Sequence, residues 1–181
     1  MAHYEFATAV TGSESFPPEW PVECSIAIEQ NEPTLLVFVH PKCPCSQATV
    51  AEMEQLLRRI ESAAGAHTPQ SRIIAVVPKD YDPSWLQTVS IARALALPRA
   101  ELFIDEGGVE AQRFGAEVSG TVLYYCSAGV LQYGGGVTAA RGHAGPNVGR
   151  ENLREAIANR PPQFPTIPAF GCRLVLDRLA K

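Results

Sequence analysis

Apolar and polar positions along the chain follow two alternating regimes. Residues 34–39 (TLLVFV) form an unbroken apolar run rich in β-branched and aromatic side chains, the pattern of a strand covered on both faces. His40 and Pro41 end it. From Ser46 the period lengthens: Val50, Met53, Leu56, Leu57 and Ile60 recur at helical spacing, while Glu52, Gln55, Arg58 and Arg59 fill the other face. Residues 71–78 (SRIIAVVP) predict a second buried strand. Residues 83–96 then predict a helix capped by Asp82 or Ser84, with Trp85, Val89, Ala92 and Leu95 on one side and Pro98 beyond its end. Residues 101–105 read as a short strand, and 108–114 as a short helix closed by Gly115. Two β runs, 118–126 and 130–133, flank Ser127-Ala128-Gly129, a hairpin signal. Residues 146–160 give the last clear helix, with Leu153, Ala156 and Ile157, and 172–180 allow a further short one.

The order β-α-β-α-β-α-β-β-α predicts an α/β fold, a mixed sheet sandwiched by helices. Residues 1–32, punctuated by Gly12, Pro17, Pro18 and Pro21, read as an irregular N-terminal arm with a short strand or turn around 22–28. Residues 33–160 form the domain. Residues 161–181 are a proline-rich C-terminal tail that packs on it.

Composition narrows the function. With 181 residues and 46% hydrophobic content, the chain can bury a core without disulfide staples. A net charge of −4 gives no basic footprint, so nucleic acid is rejected as a partner. No stretch approaches the roughly 18 apolar residues of a membrane span, so this chain carries no membrane segment of its own. The start MAHYEFATAV lacks a basic region and a long apolar core. A periplasmic or membrane-tethered address is favoured if a native N-terminal segment is missing, and a cytoplasmic one otherwise.

The chemistry concentrates where the first strand meets the first long helix, at His40-Pro41-Lys42-Cys43-Pro44-Cys45. Pro44 disfavours helical dihedrals at Cys43, while its own fixed φ suits the first helical position, so Cys43 is the expected N-cap. A thiolate there faces unpaired backbone N–H groups and the positive end of the helix dipole, with Lys42 nearby. Cys43 is therefore the expected attacking thiolate and Cys45 the resolving thiol. With only Pro44 between them, the resulting ring is smaller than that of a C-x-x-C pair.

This element order, with Cys-Pro-Cys ending the first main strand, resembles the thioredoxin-like fold, and within it the TlpA-type thiol-disulfide oxidoreductases, over roughly residues 34–160. HPKCPCS, the segment GGGVTAARGHAGPNVGR and the late FGC resemble the RedB-type redox proteins, a C-x-C subgroup. The resemblance implies exchange with protein or small-molecule thiols and disulfides, an electron-donating or electron-accepting redox partner, and no bound organic cofactor. The superfamily's cis-proline, which faces the cysteine motif just before the hairpin, falls on Gly120 here, in Val118-Ser119-Gly120-Thr121. The groove for a substrate peptide would then be shaped by a glycine.

Other readings compete. His40 could tune Cys43 as a cation, bind a metal, or simply end a strand. Cys43, Cys45, His40 and Cys172, with His143 as a further donor, would suit copper(I) or zinc; copper-delivery proteins of the SCO type have a similar fold but more widely spaced cysteines. A protein-interaction module that kept the fold and lost the chemistry is a third class. Arg141 and His143 lie in a glycine-rich connection that could sit near the thiols and stabilise a thiolate or an anionic group. That connection has no phosphate-loop spacing. Core packing is the simpler reading of Cys24 and Cys126. It is also preferred for Cys172, although that residue could fold back as a third thiol or a ligand.

Overall fold

The computed structural model describes residues 16–28, 31–63 and 67–174. The strands are β1 Thr34–Val39, β2 Gln70–Val77, β3 Ala100–Glu106, β4 Thr121–Tyr125, β5 Leu131–Gly136 and β6 Thr166–Ile167; the helices are α1 Pro44–Ser62, α2 Val89–Leu95, α3 Val109–Arg113 and α4 Val148–Ile157. They form one sheet in the order β3-β2-β1-β4-β5-β6. The β1–β2, β2–β3 and β5–β6 pairs are parallel, and β1–β4 and β4–β5 antiparallel. Central β1 is buried along its whole length. Its side chains alternate between two cores. Leu35, Val37 and Val39 pack with Val50, Met53 and Leu57 of α1, Ile91 of α2 and Leu153 of α4. Leu36 and Phe38 pack with Ile74, Phe114, Tyr125 and Phe16 on the opposite face. Helices α1, α2 and α4 thus cover one face, and α3 with the N-terminal arm covers the other, as the predicted mixed sheet between helices requires. No helix among the described residues is long and apolar enough to cross a membrane.

The details differ from expectation in four places. Residues 83–96 are not one helix. Asp82 caps a 3-10 turn, Pro83–Leu86, by accepting from Ser84 N–H at 2.9 Å; Gln87 breaks it, and Thr88 caps α2 by accepting from Ile91 N–H at 3.3 Å. The second cap resets the helical phase. Ile91 and Ala94 are consequently buried, and Val89 and Leu95 face solvent. Next, the hairpin's second strand runs on through Gly134, Gly135 and Gly136, because the tail returns as β6 along it. A Cβ on Gly135 would lie 1.9 Å from the Ile167 carbonyl oxygen, so only glycine admits that neighbour. Third, Arg173 bridges Val118 and residues 172–174 are not helical; the rest of the expected final helix lies outside the described residues. In the arm, of the strand or turn expected around 22–28 the turn is found, at 22–26, and 1–15 lie outside the described residues.

Fourth, Glu52 does not face solvent. It is fully buried, and its Oε2 accepts from Arg150 Nη1 of α4 at 2.6 Å. Arg150 Nη1 also donates to Gln55 Oε1 at 3.2 Å, and Glu52 Oε1 takes the Gly145 N–H. One carboxylate thereby ties α1, α4 and the glycine-rich 141–145 connection together.

Candidate active site at the first turn of helix α1

Cys43 occupies the N-cap of α1 at φ −86° and ψ 121°, with Pro44 at the first helical position. That extended geometry is what a following proline imposes. The turn is tightened by Cys43 N–H donating to the His40 carbonyl at 2.9 Å and by Ser46 N–H donating to the Cys43 carbonyl at 3.1 Å. Beneath it lies a buried hydroxyl pair. Ser46 Oγ and Ser119 Oγ are 2.7 Å apart, Ser119 Oγ accepts from His40 N–H at 2.9 Å, and Ser46 Oγ donates to the His40 carbonyl at 3.1 Å. This pair pins the Val118–Gly120 turn to the start of the helix.

The tail completes the site. Cys43 Sγ and Cys172 Sγ are 2.7 Å apart, and with Cys45 Sγ all three sulfurs lie within 4.8 Å of one another. Cys172 is brought there by an antiparallel pairing of the tail with the turn. Ser119 N–H donates to the Cys172 carbonyl at 2.8 Å and Leu174 N–H to the Glu117 carbonyl at 2.9 Å, around the Val118–Arg173 bridge. Gly171 permits the approach: a Cβ there would lie 1.8 Å from the Ser119 carbonyl oxygen. Cys172, for which core packing was the preferred reading, thus has its sulfur beside that of Cys43.

Their surroundings move the two buried sulfurs in opposite directions. Burial pushes the Cys43 thiol up, but the Cys172 S–H and the peptide N–H groups of Cys172, Cys45 and Ser46 outweigh it and hold Cys43 below the usual thiol range. Cys172 is pushed up to about 12, first by burial and then by Cys43, with Arg141 opposing. The two sulfurs thus share one hydrogen bond, with Cys43 the more acidic of the pair.

The remaining expected site residues divide. Arg141 reaches the cluster, its Nη2 lying 3.8 Å from Cys172 Sγ and its guanidinium also engaging Cys45. His143 is exposed and donates from Nδ1 to the Arg141 carbonyl at 2.8 Å, so it holds the loop and not a sulfur. His40 is buried edge-on to Trp85, with ring centroids 5.3 Å apart. Burial lowers its pKa, so the imidazole is neutral at pH 7, and it is not a member of the sulfur cluster. Lys42 Nζ lies 4.1 Å above the Trp85 ring. Gly120 lies in the turn at φ +93°, donating its N–H to the Phe38 carbonyl at 2.8 Å, and no cis peptide occurs among the described residues. Proline could supply neither that φ nor that N–H. Cys24 and Cys126 stand outside the cluster, half-buried. Sequence reasoning missed Ser46, Ser119 and Gly171; the one signal was their adjacency to the cysteine motif, the Gly120 turn and Cys172. A cavity of about 790 Å³ between the C-terminal ends of α1 and α4, lined by Leu56, Ile60, Arg154 and Arg160, includes none of the sulfurs.

No protein-family model and no curated protein matches this sequence. Solved structures do. An uncharacterized conserved protein from Geobacillus kaustophilus is similar at a TM-score of 0.63 and 18% identity, over 83% of this chain and 80% of that one. A hypothetical protein from Sinorhizobium meliloti gives 0.59 and 20%, over 80% of each. A secreted disulfide oxidoreductase from Mycobacterium tuberculosis, homologous to E. coli DsbE, gives 0.50 and 18%, over 72% of this chain and 83% of that one. The fold is thioredoxin-like. At these identities the likeness fixes the architecture, and the chemistry must be argued from the thiols.

Proposed function

We propose that the chain is a thiol-disulfide oxidoreductase of the thioredoxin-like class, with the TlpA- and RedB-like features that its C-x-C motif and glycine-rich segment suggest. The observation that carries this is the Cys43 sulfur at a helix N-cap, its pKa lowered, with two further cysteine sulfurs within 4.8 Å. Cys43 attacks a substrate disulfide, one substrate sulfur leaves as a thiolate that takes up a proton, and a mixed disulfide forms. Cys45 then attacks Cys43, releasing the second substrate thiol. The substrate disulfide is thereby reduced by two electrons and the protein pair oxidised, and an external dithiol restores it. Redox titration of the metal-free protein in thiol/disulfide buffers, with alkylation and peptide mass spectrometry, tests this. A reversible intramolecular bond involving Cys43, with Cys43 alkylated fastest, is expected. Three slow thiols that never pair would remove the reading and leave an interaction module.

The same cluster supports a second reading, a soft-metal site. Three thiolates suit copper(I) or, with a fourth ligand, zinc. The donors would be Cys43, Cys45 and Cys172; the expected fourth member, His40, is not among them. Stoichiometric copper(I) retention that blocks alkylation of all three cysteines would favour this alternative.

A further inference from the structure

The segment that delivers Cys172 is an extended strand laid antiparallel on the Glu117–Ser119 edge, with its cysteine sulfur against the attacking sulfur. Those are the requirements for any peptide disulfide that Cys43 is to attack. Its backbone must be held by an available N–H and C=O beside the thiol, and its cysteine must lie at contact distance. Ser119 N–H and the Glu117 carbonyl are the groups that would hold it, and the tail uses both. The pairing is local. Two backbone hydrogen bonds around one bridge hold residues 172–174 against the edge, and the Leu174 side chain anchors the far end of the segment in the core beside Phe114. At about 1 kcal/mol net each, such bonds can open and close.

We propose that residues 170–174 are a built-in substrate mimic, that Cys172 is the third exchanging thiol of this site, and that the external substrates are extended cysteine-bearing peptides that pair with Glu117–Ser119 in its place. This rests on the exchange reading of Cys43. When Cys172 in place of Cys45 resolves the mixed disulfide with a substrate, its sulfur loses its proton and attacks Cys43 Sγ, the Cys43–substrate bond breaks, the substrate sulfur leaves as a thiolate that takes up a proton, and the new Cys43–Cys172 bond clamps the tail over the edge. The Cys45 thiolate then attacks Cys43 Sγ: the Cys43–Cys45 bond forms, the Cys43–Cys172 bond breaks, and Cys172 leaves as a thiolate that takes up a proton. No electrons enter or leave in that step. It isomerises one internal disulfide into another and frees the edge. Arg141, whose guanidinium engages both Cys45 and Cys172, sits between the two alternative partners of Cys43.

Two measurements test the proposal. Cys45→Ser protein, oxidised with diamide and digested under non-reducing conditions, is expected to yield a Cys43–Cys172 linked peptide that one equivalent of dithiothreitol reverses. If Cys172 remains alkylatable after oxidation while wild-type protein forms Cys43–Cys45, the third-thiol role is overturned and the exchange reading stands. If neither protein forms any bond to Cys43, the exchange reading itself falls. The second measurement is capture of a single-cysteine decapeptide, activated as a 2-pyridyl disulfide, compared with 2-pyridyl-activated 2-mercaptoethanol. In Gly171→Ala protein the added methyl cannot stay 1.8 Å from the Ser119 carbonyl oxygen, so the strand must lift. If the tail covers the edge in nine molecules of ten, peptide capture relative to the small probe rises about tenfold. An unchanged ratio in a folded Gly171→Ala protein overturns the mimicry. Should that variant not fold, reduced wild-type protein serves: an excess of a 168–174 peptide with serine in place of Cys172 is expected to lower decapeptide capture relative to the small probe, and an unchanged ratio overturns the mimicry equally.

Discussion

Replacing Arg150 with leucine tests how the site is braced. Glu52 is completely buried on α1, and the Arg150 guanidinium is its charged partner, with Gly145 N–H as a further donor. Removing one member of a buried pair leaves an uncompensated charge, at a cost of about 3–5 kcal/mol. For a chain of this length each kcal/mol moves Tm by about 2–4 °C, so Arg150→Leu should lower Tm by roughly 6–20 °C. The double variant Glu52→Leu with Arg150→Leu removes both charges and should recover much of this, short of about 1–3 kcal/mol for the orphaned Gly145 N–H. Urea unfolding of the four proteins in a double-mutant cycle gives the coupling energy directly. The same Gly145 contact holds the loop that carries Arg141, so Cys172 in folded Arg150→Leu protein should alkylate faster than in wild type. A single-variant cost below about 1 kcal/mol, or a double variant no better than Arg150→Leu, would refute the bracing argument.

Three further outcomes follow from the site. Cys43 alkylation should titrate below the ordinary value of about 8.5, and Cys172→Ala, which removes the S–H donor, should move that midpoint upward in an iodoacetamide rate profile. The linkage signs oppose each other. The depressed Cys43 value stabilises the fold above its unfolded pKa and loses that contribution as pH falls through the folded value, whereas the raised Cys172 value stabilises below its unfolded pKa and loses its contribution as pH rises toward about 12. Gly120→Pro should destabilise by about 2–4 kcal/mol in urea unfolding, because it loses the bond to Phe38 and cannot adopt φ +93°. Ser119→Ala should cost about 1–3 kcal/mol by leaving His40 N–H without its acceptor.

The mixed sheet, the N-cap at Cys43 and the helix behind it were legible because they are local. An apolar run, a change of period and a proline after the cap decide them within about 25 residues, and they agree with one another. The helix at 83–96 was misphased because Thr88 is as good a cap as Asp82, and sequence alone does not say that both are used. Glu52 was placed on the solvent face because its partner is 98 residues away. Strand β6 and the approach of Cys172 were illegible for a related reason. Only close backbone contacts at Gly135 and Gly171 reveal them, and a glycine in sequence signals a turn as readily as a neighbour. The candidate site was thus half visible: Cys43 belongs to a local motif, and its 2.7 Å partner belongs to a contact 129 residues distant.

What lowers the Cys43 pKa distinguishes this site from one built on a nearby cation. Lys42 is drawn onto Trp85, and burial keeps His40 neutral, so neither supplies the charge that the sequence placed beside the thiolate. The stabilisation comes from neutral dipoles, the Cys172 S–H and N–H first and then the peptide N–H groups of Cys45 and Ser46, acting at a residue that is 2% exposed. A surface ion pair is screened within a Debye length of about 10 Å at 0.1 M salt, whereas buried dipoles at contact are screened far less. The Cys43 midpoint should therefore shift by less than about half a pH unit between 0.05 and 1 M potassium chloride, and by as little in Lys42→Ala protein. A midpoint that climbs by a unit or more in high salt, or on loss of Lys42, would return the thiolate to cationic control and show that the helix end contributes little.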